Sequence, residues 1–243
     1  MFIFSVNFNL YYLAITGKIF AALFSEELRW FVGVVAAATA FITFDITFSA
    51  LARFDNFGDG IRHAFFQVST IISTTGFATD DFNLWPNASK IMLLTLMFVG
   101  ACAGSTGGGI KVSRIVIAFK STWSEIRHMI NPRRVKKIMF EKKSVDSDTV
   151  RGVFAYMVAY VLIFFASFLA IAILDGRSVE TTFSAVTACI NNIGPGLGEV
   201  GPTGNFAGLT YLSKIILTLD MLLGRLEIFP ILLLFYPTVW KDK

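Results

Sequence analysis

Apolar segments of two lengths alternate along this chain, and one of the long ones is broken by glycines. Residues 30–51, 152–174 and 207–240 are each long enough to cross a bilayer as a helix, which takes about 20 residues. Residues 91–119 would make a fourth such segment, but GACAGSTGGGIKVSR (100–114) falls in its middle. Two shorter apolar segments, HAFFQVSTIIS (63–73) and VETTFSAVTACI (179–190), run directly into the polar glycine turns STTGFATDDF and NNIGPGLGEVGPTGNF. About a dozen residues cannot span as a helix, so such a segment is packed inside protein or re-enters the membrane. Irregular backbone at membrane depth survives only where protein buries it or water reaches it. The alternation therefore predicts an all-α membrane protein with two re-entrant helices beside an aqueous path.

Composition supports that class. Of 243 residues 55% are hydrophobic and 16% charged, too apolar and too sparsely charged for an ordinary soluble domain. In such a chain the pI near 9.1 points to membrane topology and lipid contact, not to nucleic acid. Cys102 and Cys189 lie in apolar segments, and with only His63 and His128 beside them no zinc or disulfide pattern exists. No tightly bound cofactor and no enzymatic site are expected. The opening MFIFSVNFNLYYLAITGK has neither the basic start nor the small-residue cleavage site of a signal peptide, and reads as the end of a helix that begins upstream.

The chain also repeats itself. Laying Gly76 on Gly194 puts Phe65 on Phe183, Val68 on Val186 and Ser69 on Thr187. After a longer second turn, KIMLLTLMFVGA (90–101) lies on KIILTLDMLLGR (214–225), which sets Gly100 on Gly224. Internal duplication redefines a fold, so each unit is read as outer helix, re-entrant helix, glycine turn and inner helix. Lys120, Arg127, Arg133, Arg134, Lys136, Lys137, Lys142 and Lys143 crowd the link between the units and mark the cytoplasmic side. Both units then start and end inside and are parallel copies, with the turns bearing Gly76 and Gly194 facing out. The same basic link can serve as a topology signal or a lipid-headgroup contact.

The short helices would aim the negative ends of their dipoles at the membrane interior, which favours a cation there. The turns would offer backbone carbonyls in place of the ion's water shell. Glycine opens φ values closed to other residues, so that carbonyls can turn toward a central axis. No carboxylate precedes the glycine in either turn, and a ring of carbonyls without acids suits a monovalent cation. GSTGGGIK resembles a phosphate-binding loop but fails the pattern, since Ile110 separates Gly109 from Lys111. Lys90 and Lys214 read as snorkelling anchors, and Asp45 as a paired interior residue. Arg225 reads as a positive charge on the path or as the partner of Asp220 or Glu227.

STTGFATDDF, GACAGSTGGGIKVSR, NNIGPGLGEVGPTGNF and MLLGRLEIFP closely resemble the Trk/Ktr/HKT potassium transporter superfamily, and NNIGPGLGEVGPTGNF its TrkH-like branch in particular. That family carries four helix–pore-helix–helix repeats, and this chain resembles the third and fourth, with VNFNLYY (6–12) like the end of the second. The resemblance implies a potassium-channel-like fold divided as 1–29 (end of the preceding repeat and a cytoplasmic loop), 30–119 (third repeat), 120–147 (basic link) and 148–243 (fourth repeat). It implies potassium uptake across the bacterial cytoplasmic membrane by a channel-like subunit. Thr74, Thr75, Gly76 and Phe77 match one selectivity-filter strand, and Asn192, Ile193, Gly194 and Pro195 another. Potassium would be held by the carbonyls of Thr74, Thr75, Asn192 and Ile193. Gly104, Ser105, Thr106, Gly107, Gly108 and Gly109 match an intramembrane gating loop, and Arg225 the arginine near it. The implied partners are a cytoplasmic ring of RCK-type nucleotide-binding subunits (TrkA-like) on the basic link and the 16–29 loop, an upstream half or a second copy that completes the filter, and a second complete protomer in a homodimer. A symporter coupled to protons or sodium, and a non-conducting scaffold, are the competing readings. Parallel, pore-loop-like repeats with few acids in the spans count against the first, and two filter-like turns against the second.

Overall fold

The computed structural model describes residues 1–49, 53–131 and 137–234. Small polar side chains set where several of its helices begin. After a 3-10 turn at Phe2–Ser5, Asn7 caps α1 (Phe8–Ile15) by accepting from the Asn9 amide at 2.9 Å. A short α2 (Ile19–Leu23) lies in the expected 16–29 loop and leads to α3 (Glu26–Phe48), whose cap is the Ser25 hydroxyl. Phe31, Val35, Ala38, Ile42 and Ile46 recur at helical spacing along α3 and are all buried. They form the core of the first unit with α4 (Phe57–Ile72) and α5 (Asn87–Val99). The expected re-entrant segment 63–73 starts earlier than its apolar stretch, because Asn56 caps the helix and an amphipathic turn with Asp59 and Arg62 extends it outward.

Gly100, at φ +67°, ends α5. The chain then runs through irregular backbone until α6 (Val112–Ile130). The expected interruption of the 91–119 segment is therefore a full break twelve residues long, from Gly100 to Lys111. Beyond α6 the link folds into a hairpin, β1 (Met139–Phe140) against β2 (Lys143–Ser144), closed by Glu141 and Lys142 at φ +50° and +61°. Arg133, Arg134 and Lys136 lie outside the described residues, whereas Lys137 is described and exposed.

The second unit repeats the order. α7 (Ser147–Asp175) has 29 residues, roughly 43 Å of helix. It buries Tyr156, Tyr160, Phe164 and Ile171 on one face while Val158, Leu162, Phe165 and Ile173 stand exposed elsewhere around it. A helix apolar on every side is one that meets lipid as well as protein. α8 (Val179–Ile190) begins at its Ser178 cap and coincides with the second expected re-entrant segment. α9 (Tyr211–Leu226) and α10 (Ile228–Leu234) replace the single span expected over 207–240. The break falls at Glu227, φ +65°, three residues before Pro230, whose missing amide is tolerated in the first turn of α10 but would interrupt a continuous helix.

Among the described residues α3 and α7 are the helices long and apolar enough to cross a membrane. The two units meet where α5 packs on α8, with Phe98 6.2 Å from Phe183 of α8 and edge-on to Phe164 of α7 at 5.5 Å.

Candidate functional site

The C-terminal ends of α4 and α8 make the same turn. In the first, the Thr74 amide donates to the Ile71 carbonyl at 3.0 Å and the Thr75 amide to Thr70 at 2.9 Å. In the second, the Asn192 amide donates to Cys189 at 3.0 Å and the Ile193 amide to Ala188 at 2.8 Å. These are equivalent positions in the register that lays Gly76 on Gly194. Thr74 and Asn192 share a left-handed backbone (φ +53° and +57°), and the two glycines follow at φ +81° and +109°. Such values are unfavourable for β-branched Thr, so the surrounding hydrogen bonds hold the turn open.

The two turns lie side by side. A Cβ on Gly76 would come within 3.0 Å of the Ile193 carbonyl oxygen and 3.1 Å from Pro195 Cδ. Gly194, in the corresponding place, has nothing among the described residues within 4 Å of where its Cβ would be. One flank of the pair is therefore closed and the other open. Phe77 is 64% exposed.

Side chains brace the turns from behind and from outside. The Tyr160 hydroxyl donates to Asn191 Oδ1 at 3.0 Å, and Asn191 Nδ2 donates to the Thr187 carbonyl. Ser73 and Thr75 share a hydroxyl–hydroxyl contact of 2.7 Å. On the outer side Asn83 bridges the units, donating to the Gly198 carbonyl at 3.2 Å and accepting from the Gly198 amide at 2.9 Å. Beside it Asp80 accepts from Arg53 and from Trp85 Nε1. Burial pushes the Asp80 carboxyl up, but the hydrogen bonds from Arg53 and Trp85 and the Arg53 charge outweigh it and hold the group below its ordinary value.

The glycine loop lies directly beneath. Its Gly108 amide donates to Thr74 Oγ1 at 2.9 Å, a direct link between loop and first turn. Added Cβ atoms would meet Ala101 at 2.6 Å from Gly107 and the Asn191 carbonyl oxygen at 2.6 Å from Gly108. These two glycines are thus required by close packing, whereas Gly104 and Gly109 also take positive φ. Lys111 Nζ donates back to the Gly107 carbonyl. The loop and the end of α9 line a cavity of about 310 Å³ that includes Ser105, Arg225 and Glu227.

Arg225 donates to the Thr106 carbonyl at 2.6 Å, so it meets the loop itself. Its two anticipated acidic partners are engaged elsewhere. Glu227 pairs with Arg114 at 2.7 Å, and Asp220 accepts from Ser167 at 2.8 Å. Gly100 and Gly224, aligned in sequence, pack differently: Gly100 ends α5 at positive φ against Gly108 and Gly109, whereas Gly224 lies within α9 against the Ile190 carbonyl so tightly that no Cβ fits. Asp45 accepts from the Ser89 amide and hydroxyl. Lys90 reaches Glu180 at 4.0 Å across the units, and Lys214 donates to the Ala207 carbonyl.

Three elements of this arrangement escape a reading of the sequence. The Thr74 hydroxyl, as distinct from its carbonyl, ties the turn to the loop. Asn83 joins the two units, although only an ordinary polar loop surrounds it. Glu27 accepts from the Ala103 amide at 2.7 Å while looking in sequence like any acidic residue in a helix's first turn. Only its burial at 5% exposure sets it apart.

Comparison with known proteins bears on all of this. Residues 1–242 match the protein family described as TrkH, cation transport protein. The chain is 36% identical over 237 residues to the Trk system potassium uptake protein TrkH of Salmonella typhimurium, covering 97% of this chain and 48% of that protein. It is 34% identical over 241 residues to the Trk system potassium uptake protein TrkG of Escherichia coli, again covering 97% and 48%. The crystal structure of the potassium transporter TrkH from Vibrio parahaemolyticus superposes with a TM-score of 0.89 at 33% identity, over 99% of this chain and 51% of that one. The chain spans about half the length of these relatives.

Proposed function

The chain belongs to the TrkH family of cation transport proteins, membrane proteins with pore-helix repeats, and from that premise we propose that it forms half of a potassium-selective pore in the bacterial cytoplasmic membrane. The observation that carries the proposal is the pair of equivalent turns, side by side, with a hydrogen bond from the glycine loop to Thr74.

Thr74, Thr75, Gly76 and Phe77, and Asn192, Ile193, Gly194 and Pro195, supply two strands of the filter. Carbonyls of Thr74, Thr75, Asn192 and Ile193 replace potassium's water, aided by the negative ends of the α4 and α8 dipoles. Potassium filters surround the ion with four strands. The open flank at Gly194 supports two further walls, contributed by upstream repeats or by a second copy, and the complete protein pairs as a homodimer.

Residues 104–109 act as a gate. Lodged under the turns and bonded to Thr74, the loop occupies the route an ion takes on leaving the filter toward the cytoplasm. Arg225 holds Thr106 and adds a positive charge that repels cations at that depth. Opening requires the loop to leave the Asn191 carbonyl, Thr74 and Arg225 together. The basic link and the 16–29 segment are the surfaces for a cytoplasmic RCK-type nucleotide-binding ring. Arg133, Arg134, Lys136 and Lys137 are its charged contacts.

Reversal potentials in potassium and sodium gradients, repeated at several pH values on the complete assembly, test this reading. A potential that follows potassium and ignores sodium and pH is expected. One that moves with the proton or sodium gradient indicates coupled symport instead, and no flux at all indicates a scaffold.

A further inference from the structure

The cytoplasmic hairpin reaches the glycine loop through two carboxylates. Glu141, at the turn between β1 and β2, accepts from the Ser25 hydroxyl at 2.6 Å and from the Glu27 amide at 2.9 Å. It therefore caps the N-terminus of α3 from another part of the chain, where free amides and the positive end of the dipole favour an anion. Glu141 does so from a left-handed backbone that glutamate rarely adopts, and Lys142 beside it shares that conformation. The turn is held in shape by what its side chain grips.

The residue gripped is the one that holds the loop. Glu27 is 5% exposed, and its Oε1 accepts from the Ala103 amide, three residues after Gly100 in the break that follows α5. The side chains of Asn7 and Ser113 lie beside the same carboxylate. A buried carboxylate that accepts a backbone amide is among the stronger polar contacts, and it fixes that amide in place. On the other flank Lys120 of α6 meets Glu26 and donates to the Met139 carbonyl at 2.8 Å, so the hairpin is clipped both to α3 and to the helix that follows the loop.

We propose that Glu27 is the positioning residue of the glycine loop, and that Glu141 transmits the position of the cytoplasmic hairpin to it through the first turn of α3. The role rests on reading the loop as a gate. A displacement of the hairpin, by whatever binds the basic link, shifts the α3 N-terminus and draws Ala103 with it. The filter end of the loop, at Gly108, then loses its fixed base.

Hydrogen exchange of the purified protein in nanodiscs, read in peptides covering 100–111, tests this without any ion flux. Glu27→Ala should speed exchange there about tenfold or more, the loss of a charge-assisted hydrogen bond. Glu27→Gln should stay near the parent, since its amide oxygen can still accept from Ala103. Glu141→Ala should speed exchange in 100–111 several-fold, although it touches none of those residues, and Glu141→Gln should not. Exchange across 147–175 should match the parent in every variant. Unchanged loop exchange in Glu27→Ala overturns the positioning role. Loosening of 25–28 in Glu141→Ala with an unchanged loop overturns the transmission, and so does loosening of 147–175 to the same extent as the loop. If shortening the loop leaves ion flux unaltered, the gate reading fails while these exchange results stand.

Discussion

Gly76 faces the carbonyl group of Ile193 across the boundary between the two units, with no room for a Cβ between them. This contact joins two strands that are far apart in sequence and equivalent in the repeat. It also makes the two turn glycines unequal. Gly76→Ser must drive the Ile193 strand away and adopt φ +81°, a left-handed backbone that costs an L-residue about 1–2 kcal/mol. Gly194→Ser meets open space and bears the backbone cost alone. Reversal potentials on the conducting assembly should therefore show a larger loss of potassium-over-sodium discrimination for Gly76→Ser than for Gly194→Ser. Full discrimination in both would remove these turns from the filter.

Thr74 connects the first turn to the loop that lies under it. Thr74→Val keeps the side-chain shape but leaves the Gly108 amide without its acceptor, a loss of about 1–3 kcal/mol for a buried donor. Basal rubidium uptake should rise in Thr74→Val and stay at the parental level in Thr74→Ser. Equal uptake in all three would mean that the bond does not hold the gate.

Much of this arrangement was legible in the sequence because it is written in local pattern. Short apolar segments that end in glycine turns located α8 to its last residue and α4 at its C-terminal end, and the self-alignment matched turns whose hydrogen bonds prove equivalent. Three consecutive glycines at 107–109 located the break between α5 and α6. The start of α4 was not legible, because Gly58, Asp59 and Gly60 in its first turn interrupt the apolar stretch and resemble a loop. The second break, at Glu227, lacks glycine, and Pro230 signals it only to a reader who already suspects a break. Contacts such as Glu27 with Ala103, or Asn83 with Gly198, join residues with no shared pattern. They depend on tertiary placement that no local period encodes.

Arg225 is bonded to the loop and to neither of its acidic neighbours. Arg225→Ala should raise basal cation flux by removing both a tether at Thr106 and a positive charge on the path. Deleting Gly104 to Gly109 should raise it further, since the obstruction itself is gone. Uptake measured in cells lacking their own potassium systems gives the order. A folded deletion variant with unchanged flux would leave the glycines as a packing device.

Asp80 makes the outer loop sensitive to acid. Its carboxyl lies below the ordinary value of 3.8 in the folded protein, so the stabilisation is fully present above that pH and is lost as the pH falls through the depressed value. Arg53 is 37% exposed at its side chain, so water and salt screen the pair to less than about 1 kcal/mol. The reporter is Trp85, which donates to Asp80 at 2.8 Å. Its fluorescence should change on acidification below pH 3.8 and should lose that pH dependence in Asp80→Asn. A titration identical in both proteins would contradict the assignment.

The central claim is that the carbonyls of Thr74, Thr75, Asn192 and Ile193 together hold a dehydrated potassium ion. Anomalous diffraction from crystals of the complete assembly grown in rubidium measures this most directly. The account predicts a rubidium peak between the two turns, within direct coordination distance of those four carbonyl oxygens, that survives added sodium and fades when potassium competes. A turn region without a rubidium peak, or with a peak that an equal concentration of sodium displaces, would contradict it.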